Sequence, residues 1–219
     1  MDAKSICIFG AGGHGKVVAE IAECAGFDVS AFFDDYPVDT TTTAVPVLSS
    51  MYLSSVSIEK PFIIAVGSNA IRKDISKRLR GFSFFRAIHP SAFVSRSASI
   101  GDGTVVMVNA IINANARIGQ HVIINSAAIV EHDCVIGDFV HISPSATLSG
   151  NVQVGKGSHI GAGATIKPGV KIGKWCSIGA GAVIVTDVPD GAVVVGNPGR
   201  ILRFNDYEIF GEEEAAVAV

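Results

Sequence analysis

The chain has 219 residues, 48% of them hydrophobic, and a formal net charge of −3. That length holds two modest domains or one large one, with apolar residues enough for a sizeable core. The charge balance leaves no basic footprint for nucleic acid, and no apolar run approaches the ~20 residues of a membrane span. With a strand pattern opening at Ile6 and no basic leader before it, a soluble cytoplasmic protein is expected.

Residues 4–9 read as a buried strand, followed by the loop Gly10-Ala11-Gly12-Gly13-His14-Gly15. Val17, Val18, Ile21 and Ala22 then predict a helix from Lys16 to Ala25. A second strand, Val29 to Phe33, ends in Asp34-Asp35, and Thr40 to Thr43 with Pro46 mark a loop. The run Phe62 to Val66 closes on Gly67-Ser68-Asn69; a helix from Ile71 to Leu79 and a last strand from Phe82 to Ile88 follow. Alternating strands and helices imply a small parallel sheet with Rossmann-like winding over residues 1–88.

Gly10, Gly12 and Gly15 match a dinucleotide fingerprint in spacing, and Asp35 lies twenty residues beyond Gly15. A nicotinamide-dependent oxidoreductase is one reading of that pattern. What the loop physically offers is a tight turn and backbone amides at a helix start, suited to the phosphates of any nucleotide. The unit also lacks the second half of a full dinucleotide fold. His14 is bulky for a pyrophosphate loop but useful as a hydrogen-bond donor toward a sugar or phosphate. Asp34 and Asp35 either accept hydrogen bonds from a base or ribose or simply end a strand.

From Val94 to Ile184 an aliphatic residue recurs at every sixth position without a skip, with a small or β-branched residue two places before it. Glycine often follows the aliphatic, as at Gly101, Gly119, Gly137, Gly155, Gly161, Gly173 and Gly179. A period of six suits a three-sided parallel β-helix, with the aliphatic pointing inward and glycine tolerating backbone angles others avoid. Three units make one coil, so residues eighteen apart stack. This domain covers residues 89–204, and the tail 205–219 is expected to be disordered. A non-catalytic scaffold is compatible with the repeat alone.

His141 and His159, eighteen apart, stack on one side of the prism, whereas His132 and His141, nine apart, emerge on opposite sides. They could share a substrate only across an interface between two prisms, and flat-sided prisms associate readily in rings. His132, between Glu131 and Asp133, is equipped as a general base whose ring an acid can orient. His121 and His159 read as structural or interfacial. No close-spaced histidine pair suits a metal, so none is expected. Cys134 and Cys176 take the small inward position, and Cys7 and Cys24 also read as structural.

In order along the chain, the segments Ile6 to Gly15, Phe33-Asp34-Asp35, Ala65 to Lys73, His89-Pro90-Ser91-Ala92 and Val130 to Asp138 resemble one family. It is the hexapeptide-repeat, left-handed β-helix group of bacterial sugar acetyltransferases, which includes sialic acid O-acetyltransferases and UDP-4-amino-sugar N-acetyltransferases. The likeness runs from residue 4 to about residue 203. It implies a homotrimer with acetyl-CoA along the groove between neighbouring β-helices. The expected acceptor is a UDP-4-amino-4,6-dideoxy sugar held by the Rossmann-like domain; O-acetylation of a sialic acid is the alternative. The family's catalytic histidine falls on His132 and its acidic partner on Asp133, with Glu131 as a substitute orienter. Asn125, His141, Gly150, Gly161, Ala162, Gly179 and Ala180 fall on the acetyl-CoA side, with Lys167 and Arg200 as cations for its phosphates. Gly12, Gly13, His14, Asp34, Asp35, Gly67 and Asn69 fall on the acceptor side.

Overall fold

The computed structural model describes residues 5–37 and 45–205. Strands β1 (Ser5–Phe9), β2 (Asp28–Asp34), β3 (Val47–Ser49) and β4 (Phe62–Ile64) form a parallel sheet in the order β3-β2-β1-β4. Helix α1 (Gly13–Cys24) follows β1 and α2 (Asn69–Arg78) follows β4. Because side chains alternate along a strand, the sheet has two separate cores. Ile6, Ile8, Phe32 and Ile63 pack with Val18, Ile21 and Ala22 of α1. Cys7, Phe9, Phe33, Phe62 and Ile64 pack with Ile75 and Leu79 of α2.

The expected Rossmann-like winding is present, with local differences. Both helices begin before the first apolar position, α1 at Gly13 and α2 at Asn69, the latter capped by Ser68, whose hydroxyl accepts from the Ile71 amide. Val47–Ser49, directly after the loop marked by Thr40 to Thr43 and Pro46, is an edge strand that the sequence does not signal, because three residues are too few to show a period. The strand expected over 82–88 does not form: Phe84 makes an isolated bridge to Phe62, while Ala87–Ile88 pair with Val105–Val106 of the following domain. The prism therefore begins just before residue 89. Cys24 is exposed and has no packing role, whereas Cys7, Cys134 and Cys176 are buried. Thr40 to Thr43 and residues 206–219 lie outside the described residues; Asn205, at the start of the expected tail, donates to the Trp175 carbonyl.

The second domain is a three-sided parallel β-helix. Face I carries Ala87–Ile88, Val105–Val106, Ile123–Ile124, His141–Ile142, His159–Ile160 and Ser177–Ile178, and it ends in a hairpin of Ala192–Val195 and Arg200–Phe204. Face II runs from Phe93–Val94 to Val183–Ile184, and face III from Ser99–Ile100 to Lys171–Ile172. From Ala87 to Ile184 the strand pairings between coils join residues eighteen apart, such as His141 with His159, whereas the terminal pairing of Ser177–Ile178 with Val193–Val194 joins residues sixteen apart. The inward residues form one continuous spine, including Ile112, Val130, Ile142, Leu148 and Ile166, all fully buried. Truncating any of them to alanine would cost on the order of 2–5 kcal/mol.

The glycines after the inward aliphatic serve a different purpose from the one the sequence suggested. None of these seven has a positive φ; the left-handed position comes two residues later, at Gly103, Asn109, Asn115, His121, Ala127, Asp133 and onward. What the early glycine allows is close stacking of coils. A Cβ on Gly101 would come within 2.6 Å of Gly119, and one on Gly161 within 2.6 Å of the Ala180 amide nitrogen.

Face I is covered by the first domain, with Val105, Met107 and Ile123 completing the core beneath α1. A buried arginine joins the two domains. Arg72 of α2 is 0% exposed; its Nε donates to the His121 carbonyl at 2.8 Å and its Nη2 to the Phe139 carbonyl at 2.9 Å. The same guanidinium donates to the Val66 carbonyl at 2.9 Å and to Asn69 Oδ1 at 2.8 Å. Asn69 Nδ2 in turn donates to the carbonyls of Gly157 and Ser158. Burial pulls Arg72 down to about 9, which still leaves it charged at neutral pH, balanced by oriented carbonyl dipoles.

Candidate active site

His132 and Asp133 occupy the corner between faces II and III, directly after the strand Ile129–Val130. Asp133 takes the left-handed position, φ 61°, and its Oδ2 accepts from His132 Nδ1 at 2.8 Å. Its Oδ1 accepts from Asn115 Nδ2, one coil earlier, at 3.3 Å. The hydrogen bond from His132, then the one from Asn115, holds the Asp133 carboxyl below its ordinary range. Glu131 instead accepts from the His132 backbone amide. The ring is thus oriented by Asp133, leaving Nε2 as its other nitrogen. One coil on, Gly150 lies against the imidazole, and its N–H has no acceptor among the described residues.

His141 lies on face I, away from that corner. Its ring stacks on His159 with centroids 4.9 Å apart, its Nε2 is 3.1 Å from Asn125 Nδ2, and the Gly67 carbonyl is its backbone partner. Burial, followed by His159, Arg72 and His14 nearby, lowers His141 to about 3. His159 meets Ser143 Oγ at 2.7 Å and is also lowered, by burial first and then Arg72. Burial and Arg72 bring His14 down to about 4, and its Nε2 is buried without a partner among the described residues. Gly67, Asn69 and His159 also border a cavity of about 470 Å³, with Trp175, Ser177 and Arg203 opposite.

The glycine loop divides its labour. A Cβ on Gly10 would come within 2.6 Å of the Ala65 carbonyl, and one on Gly15 would strike the Gly10 carbonyl, so both serve close packing. Gly12 and Gly13 are exposed with open space beside them, at the start of α1. Asp34 Oδ2 accepts from the Ala11 amide at 2.9 Å and fixes the loop. Asp35 is held in a bidentate pair by Arg78, at 2.7 and 2.8 Å, which with Ser50 lowers it to about 2. That pairing leaves Asp35 poorly placed to receive a ribose hydroxyl, as the oxidoreductase reading would require.

The residues assigned to acetyl-CoA separate onto two edges. Asn125, Gly161, Ala162, Gly179 and Ala180 lie along the corner between faces I and II, beside His141. Gly150 and Lys167 lie on the II–III corner with His132, and Arg200 is exposed in the terminal hairpin. The I–II corner suits an extended amide chain: Ala162 and Ala180 are exposed, their N–H groups have no acceptor among the described residues, and Gly163 and Gly181 leave open space. Sequence reasoning overlooked the roles of Arg72, Asn115 and Ser143. Arg72 had one visible signal, a basic residue within the Ala65 to Lys73 segment. Among the described residues no cluster of potential metal ligands occurs, and no helix is long and apolar enough to cross a membrane.

Residues 5–79 match the family described as the PglD N-terminal domain, and 115–150, 133–168 and 151–186 match the bacterial transferase hexapeptide (six repeats). The acetyltransferase domain of PglB from Neisseria gonorrhoeae FA1090 is 44% identical with a TM-score of 0.87, covering 91% of this chain and 100% of that one. The chain belongs to the hexapeptide-repeat sugar acetyltransferase family. The PglB domain has also been solved in complex with acetyl coenzyme A. Another family member, PerB from Caulobacter crescentus, was solved with CoA and GDP-perosamine; it is 39% identical with a TM-score of 0.84, covering 90% of this chain and 96% of that one. The UDP-N-acetylbacillosamine N-acetyltransferase of Bacillus subtilis (strain 168) is 43% identical over 112 residues, 48% of this chain. The match spans about half, 51%, of that relative's length. The β-helix of this family is left-handed.

Proposed function

We propose that the protein transfers an acetyl group from acetyl-CoA to the 4-amino group of a UDP-4-amino-4,6-dideoxy sugar, at sites formed between the subunits of a homotrimer. The observation that carries this reading is the His132–Asp133 pair with the unpaired Gly150 amide beside it. His132 and His141 stand on opposite sides of one prism, so a site using both needs a second copy. Face II supports such contact: by the alternation of each strand, Phe93, Ile111, Ile129 and Val183 point outward from it. It lies between the two edges that carry the acetyl-CoA residues.

Acetyl-CoA, when bound, supplies an acyl group activated as a thioester. His132 Nε2 takes the proton from the acceptor amine as the new C–N bond forms, and Asp133 stabilises the resulting imidazolium. The Gly150 N–H donates to the carbonyl oxygen, on which negative charge develops. As the C–S bond breaks, the proton held on His132 passes to the departing sulfur. The exposed amides of Ala162 and Ala180 hold the pantetheine arm, and the start of α1 with Gly12, Gly13 and His14 holds the acceptor's phosphates.

Thiol release from acetyl-CoA, followed with a panel of UDP- and GDP-linked 4-amino sugars and with sialic acids, tests the activity. Turnover confined to a UDP-4-amino sugar supports the proposal, and turnover with sialic acid alone would replace it with O-acetylation. Mixed assemblies test the shared site. Subunits carrying His132→Ala and subunits carrying Asn125→Ala are each expected to be impaired alone, with activity regained when they are combined. No recovery on mixing would place both groups in one subunit's site.

A further inference from the structure

The hydrogen bonds around His141 determine which of its ring nitrogens carries the proton. Asn125 Oδ1 accepts from the Ser126 amide at 2.8 Å, which fixes the orientation of the carboxamide. The group facing the imidazole is therefore the Asn125 NH₂, at 3.1 Å from His141 Nε2. An NH₂ group only donates, so Nε2 must accept and carry no hydrogen. The proton of the neutral ring is therefore left on Nδ1, and the Gly67 backbone of the first domain is a neighbour that favours a proton on this imidazole. The stack on His159, with the rings 13° from parallel, fixes the plane of the imidazole. The neighbours complete the restraint: Arg72 and His14 act on His141 from the first domain and His159 from the next coil, each disfavouring a second proton on the ring.

With Nε2 accepting from Asn125, that nitrogen of His141 has no N–H to offer a reacting carbonyl. We propose that His141 is a neutral positioning residue, spanning from Gly67 in the acceptor-binding domain to Asn125 on the I–II edge. In that role it aims the second N–H of Asn125 at the acyl carbonyl oxygen. Of the Asn125 amide hydrogens, one is taken by His141 and the other has no acceptor among the described residues. The assignment of the acyl carbonyl rests on the transfer reaction proposed above, whereas the proton position on His141 does not. Asn125 would then supply, from one subunit, the donor that complements Gly150 of its neighbour, and the Gly67 contact would tie its aim to the loop beside the acceptor.

Histidine-selective ¹⁵N NMR of the full-length protein tests the proton position directly. The expected result is a bare Nε2 and a protonated Nδ1 on His141, unchanged between pH 8 and pH 5. Asn125→Asp, which turns an acceptor toward the ring, is expected to move the proton to Nε2. A proton on Nε2 in the wild type, or a ring that titrates within that pH range, overturns the proposal whether or not the enzyme transfers acetyl groups. Kinetics test the positioning role. His141→Gln keeps an oxygen to accept from Asn125 and an NH₂ for Gly67, and should retain kcat within about tenfold. His141→Phe keeps the ring but not its hydrogen bonds and should lower kcat by about 10²-fold, the loss typical of a single oxyanion donor, with little change in the KM for acetyl-CoA. Equal kcat values for the Gln and Phe variants would show that His141 only fills space. Absence of turnover with every acceptor, alongside the expected spectra, would instead remove the reaction and leave the proton assignment standing.

Discussion

Gly150 lies directly against the imidazole of His132, one coil away: a Cβ on residue 150 would come within 2.6 Å of both Cε1 and Nε2 of that ring. The glycine therefore holds open the space in which the proposed base sits. Gly150→Ala should displace the ring and lower kcat by about 10²-fold, the loss expected for a misplaced reacting group. Its melting temperature should stay near wild type, because the displaced side chain is exposed. An unchanged kcat would show that His132 does not need this position.

His132→Ala should reduce turnover by about 10²–10⁴-fold, the contribution typical of general base catalysis. Asp133→Asn keeps an oxygen facing Nδ1 but removes the charge that stabilises the imidazolium, so a loss of about tenfold or more is expected by the same principle. Glu131→Gln should have a smaller effect, because Glu131 meets the backbone amide of His132 and not its ring. Steady-state kinetics on the three variants give the ranking; a Glu131 effect exceeding that of Asp133 would reverse the assignment of the orienting acid.

Arg72 connects the domains through carbonyl oxygens of both. Arg72→Ala would leave several buried carbonyls without donors, each costing about 1–3 kcal/mol. Lysine cannot reproduce the planar fork, so Arg72→Lys should not rescue. Differential scanning calorimetry is expected to show a large fall in melting temperature for both variants, with the first domain separating from the β-helix as an earlier transition. A lysine variant as stable as wild type would refute the geometric argument.

His121 is held between Phe84 and Phe139, the latter ring stacked at 5.2 Å, and its Nδ1 has no partner among the described residues. Burial, then Arg72, lowers it from 6.5 to about 4. The unfolded chain therefore binds this proton more readily than the folded one. The stability of the neutral ring is complete above about pH 6.5 and is lost as pH falls toward 4, on the order of 3 kcal/mol in total. His14 behaves the same way over the same range. Melting temperatures measured from pH 7.5 to pH 4.5 should fall with acid, and less steeply in His121→Phe, which keeps an aromatic ring in the stack and cannot titrate. Parallel pH profiles for the two proteins would show that His121 contributes nothing to the acid response.

The six-residue period was legible without coordinates because it is a local constraint repeated many times. Each inward aliphatic from Val94 to Ile184 meets the same neighbours one coil above and below, so the pattern survives in one dimension. The same arithmetic placed His132 and His141 on opposite sides of the prism and stacked His141 on His159. Tertiary structure decided what no period encodes. Arg72 is one basic residue in a helix, and its burial depends on carbonyls of His121 and Phe139, 49 and 67 positions further along the chain. The glycines of the corners looked like a matter of backbone angle and proved to be a matter of distance, because the atoms they avoid belong to the next coil. Sequence alone determined which side chains share an edge. Which of them have hydrogen bonds left to give, as at Gly150 and Asn125, depends on partners brought close only when the chain folds.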